Sequence, residues 1–324
     1  MAARQISLET IRDAAGAVYR VAVRTPLVRL PRPRDVYPDA PADVFLKLET
    51  LQPIGSFKIR GAYNAVRQLA ASDLATGVWT VSAGNAAQGV ALAARTVGAA
   101  CSVMVMDTAP KTKLQAIERL GATIVPASYD ECWRTVEQHG SARMKGVFVH
   151  PFDDDRFISG NGTIGLEIVD DVPDVDAIVA SLGGGGLLSG AAVAARALRP
   201  NVKVFAAEPE TAAPLSASLA AGGPTYFPGW TASFVDGAGG KSVLPGMWPL
   251  LSTLVNGSIV VPLEAIARAM QALADQVHVI AEGAGACAVA AALTGRAGGG
   301  KVVAIVSGGN IDLPRFAELV NACR

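Results

Sequence analysis

Short apolar runs alternate with stretches of helical periodicity along nearly the whole chain. Residues 43–49 (DVFLKLE), 77–83 (GVWTVSA), 101–106 (CSVMVM), 123–127 (TIVPA) and 146–151 (GVFVHP) read as strands, rich in β-branched side chains and ending in turn or small residues. Three more follow at 177–183 (AIVASLG), 203–209 (KVFAAEP) and 302–310 (VVAIVSGGN). Between them lie helical stretches such as NAAQGVALAARTVG (85–98), KTKLQAIERLG (111–121) and AAVAARALRP (191–200), each with a glycine or proline stop near its end. This alternation predicts an α/β fold of mostly parallel, twisted sheets covered by helices.

Such a fold binds ligands at the carboxyl ends of its strands. Three of those ends are small-residue loops: SAGN (82–85), SLGGGGLLSG (181–190) and SGGN (307–310). In the second, Gly183, Gly184, Gly185 and Gly186 stand between a strand and an alanine-rich helix. Without β-carbons, successive amides can approach one anion while the helix dipole adds attraction. The loop reads as a phosphate cup, with a flexible linker as the alternative. Two rival phosphate motifs fail. GAGGKS (237–242) ends like a Walker loop, but Val235 stands where the opening glycine is required. GNGTIG (160–165) matches a dinucleotide fingerprint yet follows DDDRFIS rather than a strand.

Composition narrows the partner. The 324 residues are 51% hydrophobic, enough for a large core and two domains. Lysine plus arginine equal aspartate plus glutamate at 28 each, so no net positive field draws in nucleic acid or an anionic membrane, and a small molecule is the expected partner. Cys101, Cys132, Cys287 and Cys323 are dispersed and read as free thiols. His139, His150 and His278 are isolated and read as structural, and the carboxylates of PFDDDRF (151–157) as a solvated loop joining domains. The first thirty residues scatter their charges, unlike a signal peptide, and no apolar run reaches about 18 residues. The cytoplasm is the expected address.

The lysine in LQPIGSFKIRGAYNAV (51–66) changes the picture. Most lysines are solvated surface charges. Lys58 instead follows a Gly55–Ser56 helix entry between Phe57 and Ile59, where desolvation near a positive helix end lowers an amine's pKa and makes it a nucleophile. Such an amine forms imines. Together with a phosphate cup in a parallel fold, it suggests pyridoxal phosphate, whose aldehyde needs the lysine and whose phosphate needs the cup.

In order along the chain, KLETLQPIGSFKIRGAYNA, SAGNAAQGVALAAR, HPFDD, GGGGLLSG, AAEP, AEGAGA and SGGN resemble the motifs of fold-type II pyridoxal-phosphate enzymes, which share the tryptophan synthase β-like fold. The resemblance is to the serine/threonine dehydratase and serine racemase branch and runs from about Thr25 to Leu313. It implies that Lys58 is the Schiff-base lysine, with Phe57 packed close to the cofactor. Ser82, Ala83, Gly84 and Asn85 would bind the substrate carboxylate, Asn85 also reaching the ring hydroxyl. Gly183 to Gly186 with Leu187 would hold the phosphate, and Ser307 would face the pyridine nitrogen, with Gly237 and Glu282 near the imine and the ring. A hydroxyl rather than a carboxylate at Ser307 makes a weaker electron sink, which suits elimination. The implied reaction is dehydration and deamination of a threonine- or serine-like β-hydroxy amino acid to a 2-oxo acid and ammonia, with the freed Lys58 taking the α-proton.

Three departures from the family pattern bear on the substrate and on metals. Ala83 stands where serine racemases carry a second serine, which favours ammonia-lyase chemistry over racemisation. Ala86 replaces the histidine common in dehydratases, suggesting a pocket enlarged toward a phenylserine-like substituent unless Trp133 or Trp230 fills it; threo-3-hydroxyaspartate is a further alternative. Glu208 of AAEP is a candidate ligand for magnesium or calcium, but Pro214 occupies the place of a second carboxylate, and the alternative for Glu208 is a strand-end hydrogen-bond partner. The implied organisation is a large cofactor-binding domain from 1–74 plus 150–324, and a small α/β domain, 75–149, closing over the substrate. A homodimer or other homo-oligomer is expected, without the carboxyl-terminal regulatory domain of biosynthetic threonine dehydratases.

Overall fold

The computed structural model describes residues 4–41 and 43–322; Cys323 lies outside the described residues. Strands β1 (Leu27–Arg29), β2 (Asp43–Leu48), β3 (Val78–Val81), β4 (Cys101–Met106), β5 (Thr123–Ala127), β6 (Val147–Phe148), β7 (Ala177–Ser181), β8 (Lys203–Pro209), β9 (Gly257–Val261) and β10 (Lys301–Val306) form two sheets. The larger runs β1-β2-β10-β7-β8-β9 and is parallel except for β1. The smaller runs β5-β4-β3-β6 and is parallel throughout. Strands β3 and β7 are buried at every position, which is why VWTV and AIVAS are unbroken runs rather than alternating ones. The short edge strand β1 and the glycine-opened β9 are the two that the apolar pattern does not single out.

Sheet order locates the cleft. Sequence order reverses between β10 and β7 in the large sheet and between β3 and β6 in the small one. Connections leave such points in opposite directions, and the crevice between them takes ligands. The loops at these points are 307–310, 182–185, 82–84 and 149–154. All three small-residue loops singled out in the sequence are among them.

The GNGTIG motif lies inside the helix Asp155–Asp171, not at a strand-to-helix turn. Its glycines serve packing. A β-carbon on Gly160 would lie 2.5 Å from the Arg60 carbonyl, and one on Gly165 2.5 Å from that of Ala191, so this helix sits tightly between the helices Lys58–Val66 and Gly186–Leu198. The PFDDDRF run is likewise not a solvated loop. Asp153 is buried and accepts from Arg4 at 2.7 Å, and Asp154 caps the 155–171 helix by accepting from Phe157 N at 2.9 Å.

A buried ionic network fixes the helix that carries Lys58. Arg60 is fully buried and donates to both oxygens of Glu49 at 2.8 Å and to Glu167 at 2.6 and 3.1 Å. Lys47 reaches Glu167 at 2.7 Å. Burial alone would raise the Glu167 carboxyl, but Arg60 and Lys47 hold it below the usual range. Arg60→Ala leaves Glu49 without its guanidinium and Glu167 with Lys47 and the Tyr19 hydroxyl, and should cost about 3–5 kcal/mol, read as a lower denaturant midpoint at unchanged slope. An unchanged midpoint would contradict this account.

Candidate active site

Lys58 opens its helix from a tightly built turn. Gly55 adopts φ +69, and a β-carbon there would fall 2.7 Å from Asn310 Oδ1. Phe57 N donates to the Ser307 carbonyl at 3.1 Å and Gly309 N to that of Gly55 at 2.9 Å, so the lysine turn is stitched to the SGGN loop. The half-buried Lys58 Nζ donates to the Pro151 carbonyl at 2.6 Å and lies 5.2 and 5.3 Å from the Phe57 and Phe157 ring centres. Desolvation lowers its amine to about 8.

The tetraglycine loop meets the helix Gly186–Leu198 head-on. A β-carbon at Gly184 would lie 2.1 Å from the Phe152 ring, one at Gly183 2.7 Å from the Gly237 carbonyl, and one at Gly186 2.7 Å from the Phe152 carbonyl. Gly185 also requires φ +93. Bare amides at a helix N-terminus, backed by an aromatic ring, make a site for a phosphate.

The 82–85 loop is a second helix N-terminus, since Asn85 begins the helix Asn85–Val97 and Ser82 Oγ accepts from Gly84 N at 3.1 Å. Asn85 Nδ2 donates to Glu282 Oε1 at 2.7 Å, and Asn310 Nδ2 donates to Asn85 Oδ1 at 2.7 Å. Burial, with Asp236 adding repulsion, pushes the Glu282 carboxyl up to about 7. His150 is buried below the cup, its Nδ1 accepting from Phe152 N and Asp153 N at 3.3 and 2.7 Å. Burial, then the neighbouring His139, hold it down to about 3, so it stays neutral with its Nε2 proton toward the Val136 carbonyl. The histidines are therefore not all isolated: His139 and His150 stack with ring centres 4.4 Å apart.

Phe57, Lys58, the 82–85 and 183–187 loops, Gly237, Glu282 and Ser307 all line one cavity of about 540 Å³. Glu208 does not. Its carboxylate is buried and accepts from Leu215 N and Ser216 N at 2.8 Å and from Ser258 Oγ, capping the helix Pro214–Ala221. That geometry is the strand-end hydrogen-bond role. Among the described residues no three His, Cys, Asp or Glu side chains gather as a metal site. Trp133 lines the cavity, whereas Trp230 is stacked on Lys241 4.3 Å away. Sequence reasoning gave no role to Phe152, the Pro151 carbonyl or Asn310, the last within the SGGN loop it singled out, and missed Lys113 as the partner of Asp236 at the cleft; each is defined by a contact distant in sequence.

A desolvated amine and a glycine-lined helix end, with a second helix N-terminus lining the same cavity, fit a phosphorylated aldehyde and an amino acid held together. Parallel sheets on either side of such a cleft define the class of α/β enzymes that work through a lysine-linked cofactor. The chain belongs to the pyridoxal-phosphate dependent enzyme family, whose family model matches residues 18–308. It is 39% identical over 323 residues to the L-threonine ammonia-lyase of Thermotoga maritima, covering 98% of this chain and 78% of that enzyme. The catabolic L-threonine dehydratase of Escherichia coli K12 is 35% identical, with 95% of each chain covered. Among solved structures, maize serine racemase superposes with a TM-score of 0.86 at 33% identity, covering 98% of this chain and 97% of that one. The processed form of threonine deaminase isoform 2 from Solanum lycopersicum gives 0.85 at 30%, covering 99% and 96%. No helix among the described residues is long and apolar enough to cross a membrane.

Proposed function

We propose that this enzyme catalyses pyridoxal-phosphate-dependent β-elimination on a β-hydroxy α-amino acid, the class that includes threonine and serine, giving a 2-oxo acid and ammonia. The observation that carries the reading is the meeting of Lys58, the glycine cup and the 82–85 helix end in one cavity. The two relatives named for threonine ammonia-lyase and dehydratase activity support the same chemistry.

Bound pyridoxal phosphate supplies an electrophilic carbonyl and an electron sink for the substrate's α-carbon. The amides of Gly183 to Gly186, with Leu187 beside them, would hold the phosphate end, and the Ser307 hydroxyl would serve the ring nitrogen without imposing a charge. Phe57, Gly237 and Glu282 would confine the ring, with Asn85 fixed between Glu282 and Asn310. Ser82, Ala83, Gly84 and Asn85 bind the substrate carboxylate at their helix end. Lys58 Nζ would hold the cofactor, and as a free amine would take the substrate's α-proton. With alanine at position 83, no second hydroxyl stands in that loop to return a proton from the opposite face. The unit 75–149 closes over the substrate, held by Lys113 against Asp236.

The direct test is to give the cofactor-loaded enzyme L-threonine and L-serine, measuring ammonia, 2-oxo acid and the configuration of the remaining substrate. Equal amounts of ammonia and oxo acid, with configuration retained, are expected. Racemised amino acid without oxo acid would overturn the reading. The lowered amine adds a pH prediction. Lys58 is ammonium below about 8 and neutral above it, so covalent uptake of the cofactor by apoenzyme should accelerate roughly tenfold per pH unit up to about 8 and then level off. A rise continuing toward about 10.4, the value of a free lysine, would contradict the desolvated site.

A further inference from the structure

A side pocket of about 150 Å³ opens off the first cavity: Val81, Ser82, Ala83, Met106, Tyr129, Trp133 and Val136 line both, and Met104 and Cys132 line the annex alone. One wall is the strand pair β3 and β4, where Val81 and Met104 are register partners. The opposite wall is one face of the helix Tyr129–Glu137: Tyr129, Cys132, Trp133 and Val136 recur at the spacing that stacks side chains along a helix. Apart from Ser82 and the Tyr129 hydroxyl, the lining side chains are hydrocarbon, indole and sulfur. No set of polar groups converges there, so the annex suits an apolar group rather than a second charged ligand.

Size and chemistry narrow that group. An apolar cavity of ~150 Å³ engineered in another protein holds a benzene ring. The methyl group of threonine would leave most of such a space empty. The Met106 thioether and the Cys132 thiol favour a ring over an aliphatic chain through sulfur–aromatic contact. The rings of Trp133 and Tyr129 line the same space. Resting on the function proposed above, we infer that the preferred substrates are β-hydroxy amino acids carrying an aryl group on the β-carbon. The ring occupies the annex while the carboxylate meets the 82–85 loop.

The test compares kcat/KM for L-threo-3-phenylserine and L-threonine in the cofactor-loaded enzyme and in Cys132→Phe. Cys132 lines the annex but not the main cavity, so the larger side chain fills the annex and leaves the reacting groups alone. A single methylene in a hydrophobic pocket discriminates by roughly 10- to 200-fold, so wild-type enzyme should favour phenylserine by at least about tenfold. Cys132→Phe should lose at least about tenfold on phenylserine and keep threonine turnover within about threefold, which also reports that the variant folds. Cys132→Leu, a smaller filler, should move the ratio in the same direction. Threonine used as well as phenylserine by wild type, or both substrates falling together in both variants, would overturn the inference.

Failure of both substrates to yield oxo acid would overturn the parent reading instead. The annex is then judged by binding of L-phenylalanine and L-2-aminobutyrate, which lack a leaving group, followed through the cofactor's absorbance. Phenylalanine binding at least about tenfold tighter, with that advantage lost in Cys132→Phe, supports the annex, and equal affinities overturn it.

Discussion

Lys58→Ala is expected to release ammonia from L-threonine at least about a thousandfold more slowly than wild type, and to give no borohydride-stable attachment of the cofactor at residue 58. A positioned general base contributes typically ~10²–10⁴ in rate, and in the proposed function Lys58 also carries the cofactor, so both functions disappear together. The fold should survive. Lys58 makes a hydrogen bond to the Pro151 carbonyl and otherwise faces the rings of Phe57 and Phe157, so its removal takes a charge out of an apolar setting. Lys58→Arg sharpens the test, because a guanidinium keeps the positive charge but does not lose its proton and cannot act as an amine. Both variants should be equally inactive. Wild-type rates in either would remove the assigned base.

Gly184→Ala is expected to weaken retention of pyridoxal phosphate by about 10- to 100-fold, measured by titrating apoenzyme. The new β-carbon would sit 2.1–2.3 Å from carbons of the Phe152 ring, so either the loop or the ring must move. Overpacking of this kind costs typically ~1–3 kcal/mol, and here the cost falls on the amides assigned to the phosphate. Phe152→Ala in the Gly184→Ala background should restore part of the lost affinity, because removing the ring removes the clash; that coupling separates the steric mechanism from general damage. Unaltered affinity in Gly184→Ala would sink the assignment of the cup.

The chain's local chemistry was legible where function depends on what a side chain lacks or on where it sits relative to a helix end. Gly183 to Gly186 announce a close approach of backbone because no other residue permits it, and Lys58 is marked by the Gly-Ser turn before it. The strand cores were legible for a similar reason, since a strand buried on both faces is continuously apolar. The same local reasoning read GNGTIG as chance without seeing that its glycines let three helices touch. It also read PFDDDRF as solvated, although Arg4, distant in sequence, holds Asp153 in the interior.

By itself, then, the sequence determined the α/β class and singled out Lys58, the tetraglycine loop and the 82–85 loop, because each stands out through neighbours within a few residues. Tertiary structure alone decided that Phe152 backs the cup, that Asn310 orients Asn85 from 225 positions away, and that Glu208 caps a helix. It decided too that one face of the Tyr129–Glu137 helix stands off from β4 to leave room beside the cleft. These features are distances between elements. They are set by how two sheets and their covering helices pack, and the periodicity of a single segment carries no record of what faces it.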